Sequence, residues 1–196
     1  MNIKTNSIID LLEITLNKKI EDIKLEDLKE ITYLRVNKIN NDDILNVDSK
    51  DLLLFSNLKE LSIDNCMIDD NFLNDLEKVA TLEKISFICC DFVDECKDYF
   101  NNLSLDELVL NDVIGLDDIE VSNIKKITII NCFFNINIKR VNTLDISRSI
   151  NTKIDFNNID LDELIVSKLE QIDSNLKCKI IVKDNYDEVV KVINND

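Results

Sequence analysis

The chain has 196 residues, 39 acidic and 23 basic, for a formal net charge of −16, and 45% of its residues are hydrophobic. That length can bury a sizeable core in one domain, and the charge repels phosphate backbones and anionic headgroups. No nucleic-acid or membrane partner is therefore expected, whereas a basic protein would be attracted. The absence of His and the single glycine, Gly115, exclude imidazole catalysis, His-based metal binding and phosphate-cradling glycine loops.

In chain order, Met1 to Asn6 has no cationic region leading into an apolar run with a small-residue cleavage site. No later segment approaches the roughly 18 uncharged apolar residues of a membrane span. The expectation is an untargeted, cytoplasmic protein. Its six cysteines are expected to be reduced thiols, because a domain of this size needs no disulfide staples. Ser7 to Leu16 carries Ile8, Leu11, Leu12 and Leu16 on one stripe, with Ser7 as N-cap. This predicts an N-terminal capping helix.

A repeat follows. Its first copies read Ile31-x-x-Leu34-x-Val36-x-x-Ile39, Leu58-x-x-Leu61-x-Ile63-x-x-Cys66-x-Ile68 and Leu82-x-x-Ile85-x-Phe87-x-x-Cys90-x-Phe92. Between them, Asp70 to Thr81 places Phe72, Leu73, Leu76 and Val79 at helical spacing, and Asp94 to Leu103 does the same with Cys96, Tyr99, Phe100 and Leu103. The pattern continues as Leu105-x-x-Leu108-x-Leu110-x-x-Val113, Ile124-x-x-Ile127-x-Ile129-x-x-Cys132-x-Phe134, Val141-x-x-Leu144-x-Ile146-x-x-Ser149 and Leu161-x-x-Leu164-x-Val166-x-x-Leu169. A last degenerate copy keeps Ile180 and Val182.

The step between second anchors shrinks from 27 residues, Leu34 to Leu61, to 16, Leu164 to Ile180. The late steps are too short for a strand, a helix and two turns. Segments such as Ile136-Asn137-Ile138-Lys139 and Lys153-Ile154-Asp155-Phe156 alternate like strands and predict extended or single-turn connections there. Tyr186 to Ile193, with Val189, Val190 and Ile193, predicts a C-terminal capping helix.

In each copy the fourth and sixth positions alternate with neighbours expected to be exposed, so each copy is a short strand with one buried face. No copy can bury that face alone; stacking the copies makes one elongated core. The L-x-x-L-x-L-x-x-C/N-like pattern resembles the leucine-rich-repeat superfamily over about residues 25 to 183, and within it the bacterial SDS22-like or internalin-like group. Two departures stand out: Cys66, Cys90, Cys132, Val113 and Ser149 occupy the family's usual Asn position, and the late repeats are short. The resemblance implies an α/β leucine-rich-repeat solenoid of about eight rungs with a parallel concave sheet. Helices cover the convex side early and extended segments cover it later. One domain spans 1–196: cap and lead-in 1–24, repeats 25–183, and C-terminal cap 184–196.

Catalytic constellations do not emerge, and neither an enzymatic role nor a cofactor is expected. Cys89, Cys90 and Cys96 could form a thiolate metal site. However, Cys66, Cys90 and Cys132 share one repeat position, which points to a small buried side chain under the turn leaving each strand.

The outward columns carry the functional expectation. The column before the second anchor reads Tyr33, Glu60, Lys84, Glu107, Lys126, Thr143, Glu163, Lys179, an alternating charge ladder. The next reads Arg35, Ser62, Ser86, Val109, Thr128, Asp145, Ile165, Ile181, and the third Asn37, Asp64, Ile88, Asn111, Ile130, Ser147, Ser167, Lys183. Ile88, Val109 and Ile130 fall on consecutive rungs and form a small apolar patch. Tyr33, Arg35, Ile88, Val109, Asn111, Thr128, Ile130 and Asp145 are the candidate contacts for a protein partner on the concave face. The alternative is an acidic inhibitor or immunity-type protein that neutralises a basic toxin or nuclease.

Overall fold

A computed structural model of the chain describes residues 3–37, 48–93, 100, 102–116, 118–132, 135–138, 140–149, 153–154, 159–169, 172 and 176–194. Helix α1 (Asn6–Leu16) is followed by a 3-10 turn (Ile20–Asp22), α2 (Leu25–Leu28), β1 (Tyr33–Asn37), α3 (Ser49–Leu52), β2 (Glu60–Asp64), β3 (Met67–Ile68) and α4 (Asp70–Leu76). Then come β4 (Lys84–Ile88), β5 (Asp91–Phe92), β6 (Leu105–Asn111), β7 (Asp118–Val121), β8 (Ile124–Ile130) and β9 (Asn135–Ile138). Strands β10 (Arg140–Arg148), β11 (Lys153–Ile154), β12 (Asp160–Val166), β13 (Lys179–Lys183) and β14 (Val189–Asn194) complete the described elements.

The molecule is a parallel β-solenoid with few helices. Its main sheet runs β1-β2-β4-β6-β8-β10-β12-β13-β14, parallel up to β13. The register joins Leu34, Leu61, Ile85, Leu108, Ile127, Leu144, Leu164 and Ile180 into one row, every member buried. A second inward set, including Val36, Ile63, Phe87, Leu110, Ile129 and Val166, is fully buried. Alternation places both sets on one face, so the strands share a single core.

The opposite side changes along the chain. Early coils carry α3 and α4, and the short strands β3 and β5 pair and extend through the Asp91–Ile114 bridge. Asp69 begins α4 by accepting a hydrogen bond from the Phe72 amide at 2.8 Å. Phe87, Phe92 and Phe100 fill this region with ring centroids 5.2–6.3 Å apart. Later coils instead build a three-stranded sheet, β11-β9-β7, as expected where the step is too short for a helix. Ile39, residues 94–99, Phe134, Lys139, Asp155 and Phe156, which belong to the expected pattern, lie outside the described residues.

Two expectations at the ends are corrected. Helix α1 starts at Asn6 with Thr5, not Ser7, at its N-cap position. The Thr5 amide donates to the buried Asp51 carboxylate at 2.7 Å and its hydroxyl accepts from the Asp48 amide, which pins the chain two residues earlier. Ile8 and Leu12 of α1 are fully buried. At the other end, Tyr186–Ile193 is not a helix: Val189–Asn194 is a strand running antiparallel to β13. Asp184 closes the turn, its carboxylate accepting from the Tyr186 and Glu188 amides at 2.8 and 3.0 Å, with Asp187 in the left-handed region. Four of the five residues Val189-Val190-Lys191-Val192-Ile193 are β-branched, and such side chains lose rotamer freedom in a helix while packing well on a pleated surface.

Candidate functional site

The three outward columns exist with the register read from the chain through β8. Tyr33, Glu60, Lys84, Glu107, Lys126, Thr143, Glu163 and Lys179 are successive partners. Lys84 and Lys126 both pair with Glu107, at 2.6 and 2.7 Å, and Lys179 pairs with Glu163 at 2.7 Å. Burial pushes the Glu107 carboxyl up, but hydrogen bonds from the two lysines outweigh it and hold the group below its ordinary value.

Six of the eight candidate contacts come together. Asn111 sits between Ile88 and Ile130 on β4, β6 and β8, and Val109 sits between Ser86 and Thr128 in the adjoining column. Thr128 in turn faces Asp145 of β10. Ile88, Val109, Asn111, Thr128 and Ile130 are half-buried, whereas Asp145 is buried. The side-chain oxygen of Asn111 is inaccessible and accepts no hydrogen bond among the described residues. Tyr33 and Arg35, both exposed, lie apart on β1, beyond β2. There Arg35 Nε donates to Asp64 Oδ2 at 2.7 Å, and Ser62 Oγ donates to the other oxygen at 2.8 Å, so the buried Asp64 is fully engaged.

The third column departs from its expected order at β10. The register shifts between Asp145 and Arg148, so that Arg148, not Ser147, is the partner of Ile130. The cause is local: Asp145 Oδ1 accepts from both the amide and the hydroxyl of Ser147, at 3.0 and 2.6 Å, which turns the backbone there. The displaced Arg148 pairs with Asp187 of the β13–β14 turn, and Lys183 reaches Asp145 at 3.5 Å and Asp187 at 4.0 Å. A cavity of about 290 Å³ opens here, walled by the cations Lys126, Arg148 and Lys183 together with the carboxylates Glu107, Asp145 and Asp187, with Val109, Thr128 and Ile130 also in its lining. Arg148 and Asp187 carry no pattern that alternation alone would reveal, because one depends on a bulge and the other on a hairpin.

The thiols lie on the opposite, buried side of the strand ends. Cys66 Sγ donates to the carbonyl of Asp64 at 3.2 Å, Cys90 Sγ to Ile63 at 3.2 Å, and Cys132 Sγ to Ile130 at 3.1 Å. Ser149 continues the column, its hydroxyl donating to the Cys132 carbonyl at 3.3 Å. Burial pushes the Cys90 thiol up to about 11, so it is protonated and a poor nucleophile near neutral pH. Cys89 is exposed, and no disulfide joins Cys66, Cys89, Cys90, Cys132 and Cys178; Cys96 lies outside the described residues. Among the described residues, no group of three or more Cys, Asp or Glu side chains is arranged to hold a metal ion. No described helix is long and apolar enough to cross a membrane.

Compared with protein-family models, curated proteins and solved structures, the chain matches none.

Proposed function

We propose that the chain is a leucine-rich-repeat solenoid, one repeat per parallel strand for about eight rungs, whose concave sheet binds a protein partner without catalysing a reaction. Helix α1 serves as its N-terminal cap. The observation that carries the reading is the seating of Ile88, Val109 and Ile130, half-buried, on the outward face of neighbouring strands. Apolar side chains clustered on the outward face of neighbouring strands support a contact surface. The described thiols, none joined in a disulfide, suit a reducing, cytoplasmic compartment.

The test is co-purification followed by mass spectrometry, with the tagged chain and an Ile88→Asp/Val109→Asp/Ile130→Asp variant side by side. A stoichiometric partner should be recovered by the first and lost from the second. A variant that keeps its circular dichroism and its partner overturns the reading.

A second reading rests on the charge of −16: an inhibitor or immunity-type protein that captures a basic toxin or nuclease. Steered association of that kind slows steeply as ionic strength rises. An association rate indifferent to salt, measured with the captured partner, eliminates it.

A further inference from the structure

The outward column that contains Val109 becomes apolar again toward the C-terminal end of the sheet. Through Thr128 and Asp145 it runs on to Ile165 of β12, Ile181 of β13 and Val192 of β14. Val192 is 49% exposed and Ile181 is half-buried, yet Ile165 is only 7% exposed. Ile165 also stands outside the core cluster that holds its neighbours Leu164 and Val166, because alternation turns it to the other face. Its cover therefore lies on the outward side of the sheet.

That cover is charged. Lys183 of β13 reaches Asp145 of β10 at 3.5 Å, and β12 lies between those two strands. The lysine side chain thus crosses β12 beside Ile165, whose register partners are Asp145 and Ile181. The same ammonium lies 4.0 Å from Asp187 at the tip of the β13–β14 hairpin, and Asp187 pairs with Arg148. Arg148 comes to that position through the register shift in β10. Two ties therefore hold the hairpin to a strand that is not its neighbour.

Little else secures the hairpin. Among the described residues β14 pairs with β13 alone, and five of its six residues are exposed. The Arg148 and Asp187 side chains are 58% and 40% exposed, so water competes for both. Segments with few buried apolar contacts open at a lower free energy than the core, and exposed ion pairs are individually weak.

We infer that the β13–β14 hairpin is a strap, fastened across β12 by the Lys183–Asp145 and Arg148–Asp187 pairs, that closes over Ile165 and opens as a local unit while the rest of the solenoid stays folded. Opening bares Ile165 and makes Ile165, Ile181 and Val192 a continuous apolar row. The same movement withdraws Asp187 from the wall of the cavity that Val109 and Ile130 line. The concave face then has two states, one with its C-terminal end covered and one with it open. This holds whether or not the face binds a protein.

Thiol labelling of the full chain tests the strap in a Cys89→Ser/Ile165→Cys background, which removes the exposed native thiol and places a new one under the cover. The introduced thiol should react slowly with iodoacetamide while both ties are intact. Adding Asp187→Asn or Arg148→Gln should speed the reaction about two- to fivefold, the range set by one partly exposed ion pair. Arg148→Lys, which keeps the charge, should restore most of the protection. Equal rates with and without the ties, or fast labelling with both ties present, overturn the inference. Hydrogen exchange gives a second measure in the chain with Ile165 and Cys89 left in place. There Asp187→Asn should accelerate β14 and leave β4, β6 and β8 unchanged. Unchanged exchange in β14, or equal acceleration in β4, β6 and β8, also overturns it, since no separate strap then exists.

Discussion

Gly115 sits at φ +80, and a Cβ built on it would lie 1.9 Å from the carbonyl oxygen of Phe92. The Phe92 amide donates to the carbonyl of Ile114 at 3.0 Å, so the two segments are held at this approach by their own backbone bond. Gly115→Ala should therefore cost more than the ~1–3 kcal/mol of backbone strain alone, because one segment must also move. Urea unfolding of the variant measures this. At the thiol column the sign of a pH effect is fixed: the Cys90 thiol ordinarily titrates near 9 but holds its proton to about 11 in the folded chain. Its contribution to stability is complete below pH about 9 and is lost as pH rises toward 11, because the unfolded chain gives up the proton first. The wild-type chain should lose stability over that window relative to Cys90→Ala, and denaturant titrations at several pH values would show it.

At the level of elements, pairing of β14 with β13 has a direct readout. Hydrogen exchange should protect amides of β13 on both sides, as in β12; a helix over Tyr186–Ile193 would leave alternate β13 amides fast. The main-sheet strands β1, β2, β4, β6, β8, β10, β12 and β13 were legible in the chain because Leu61, Ile85, Leu108 and their partners each carry the burial of one coil, and a slip of one residue would expose them all. The same counting put Ile88, Val109 and Ile130 on three neighbouring strands. It failed at Asp145, where a side-chain bond to Ser147 shifts the register, and at Val189–Ile193, whose spacing fits a helix and a strand alike. The Arg148–Asp187 pair spans 39 residues and needs both features at once, so the charged wall of the cavity could not be read from periodicity.

For the molecule as a whole, the balance of charge decides the response to salt. The exposed pairs of the ladder are each worth about 0.2–1 kcal/mol, whereas 16 uncompensated negative charges repel across the whole surface. Repulsion dominates, and raising ionic strength from low values should increase the melting temperature, followed by calorimetry; a decrease would show that the ladder governs. Finally, β14 runs against the direction of every main-sheet strand before it. An array of like-oriented coils can lengthen by duplicating any one of them, since each copy offers its successor the same edge. The reversed strand offers a different edge, so tolerated duplications or deletions of whole coils should fall inside the array and leave this hairpin as its terminus.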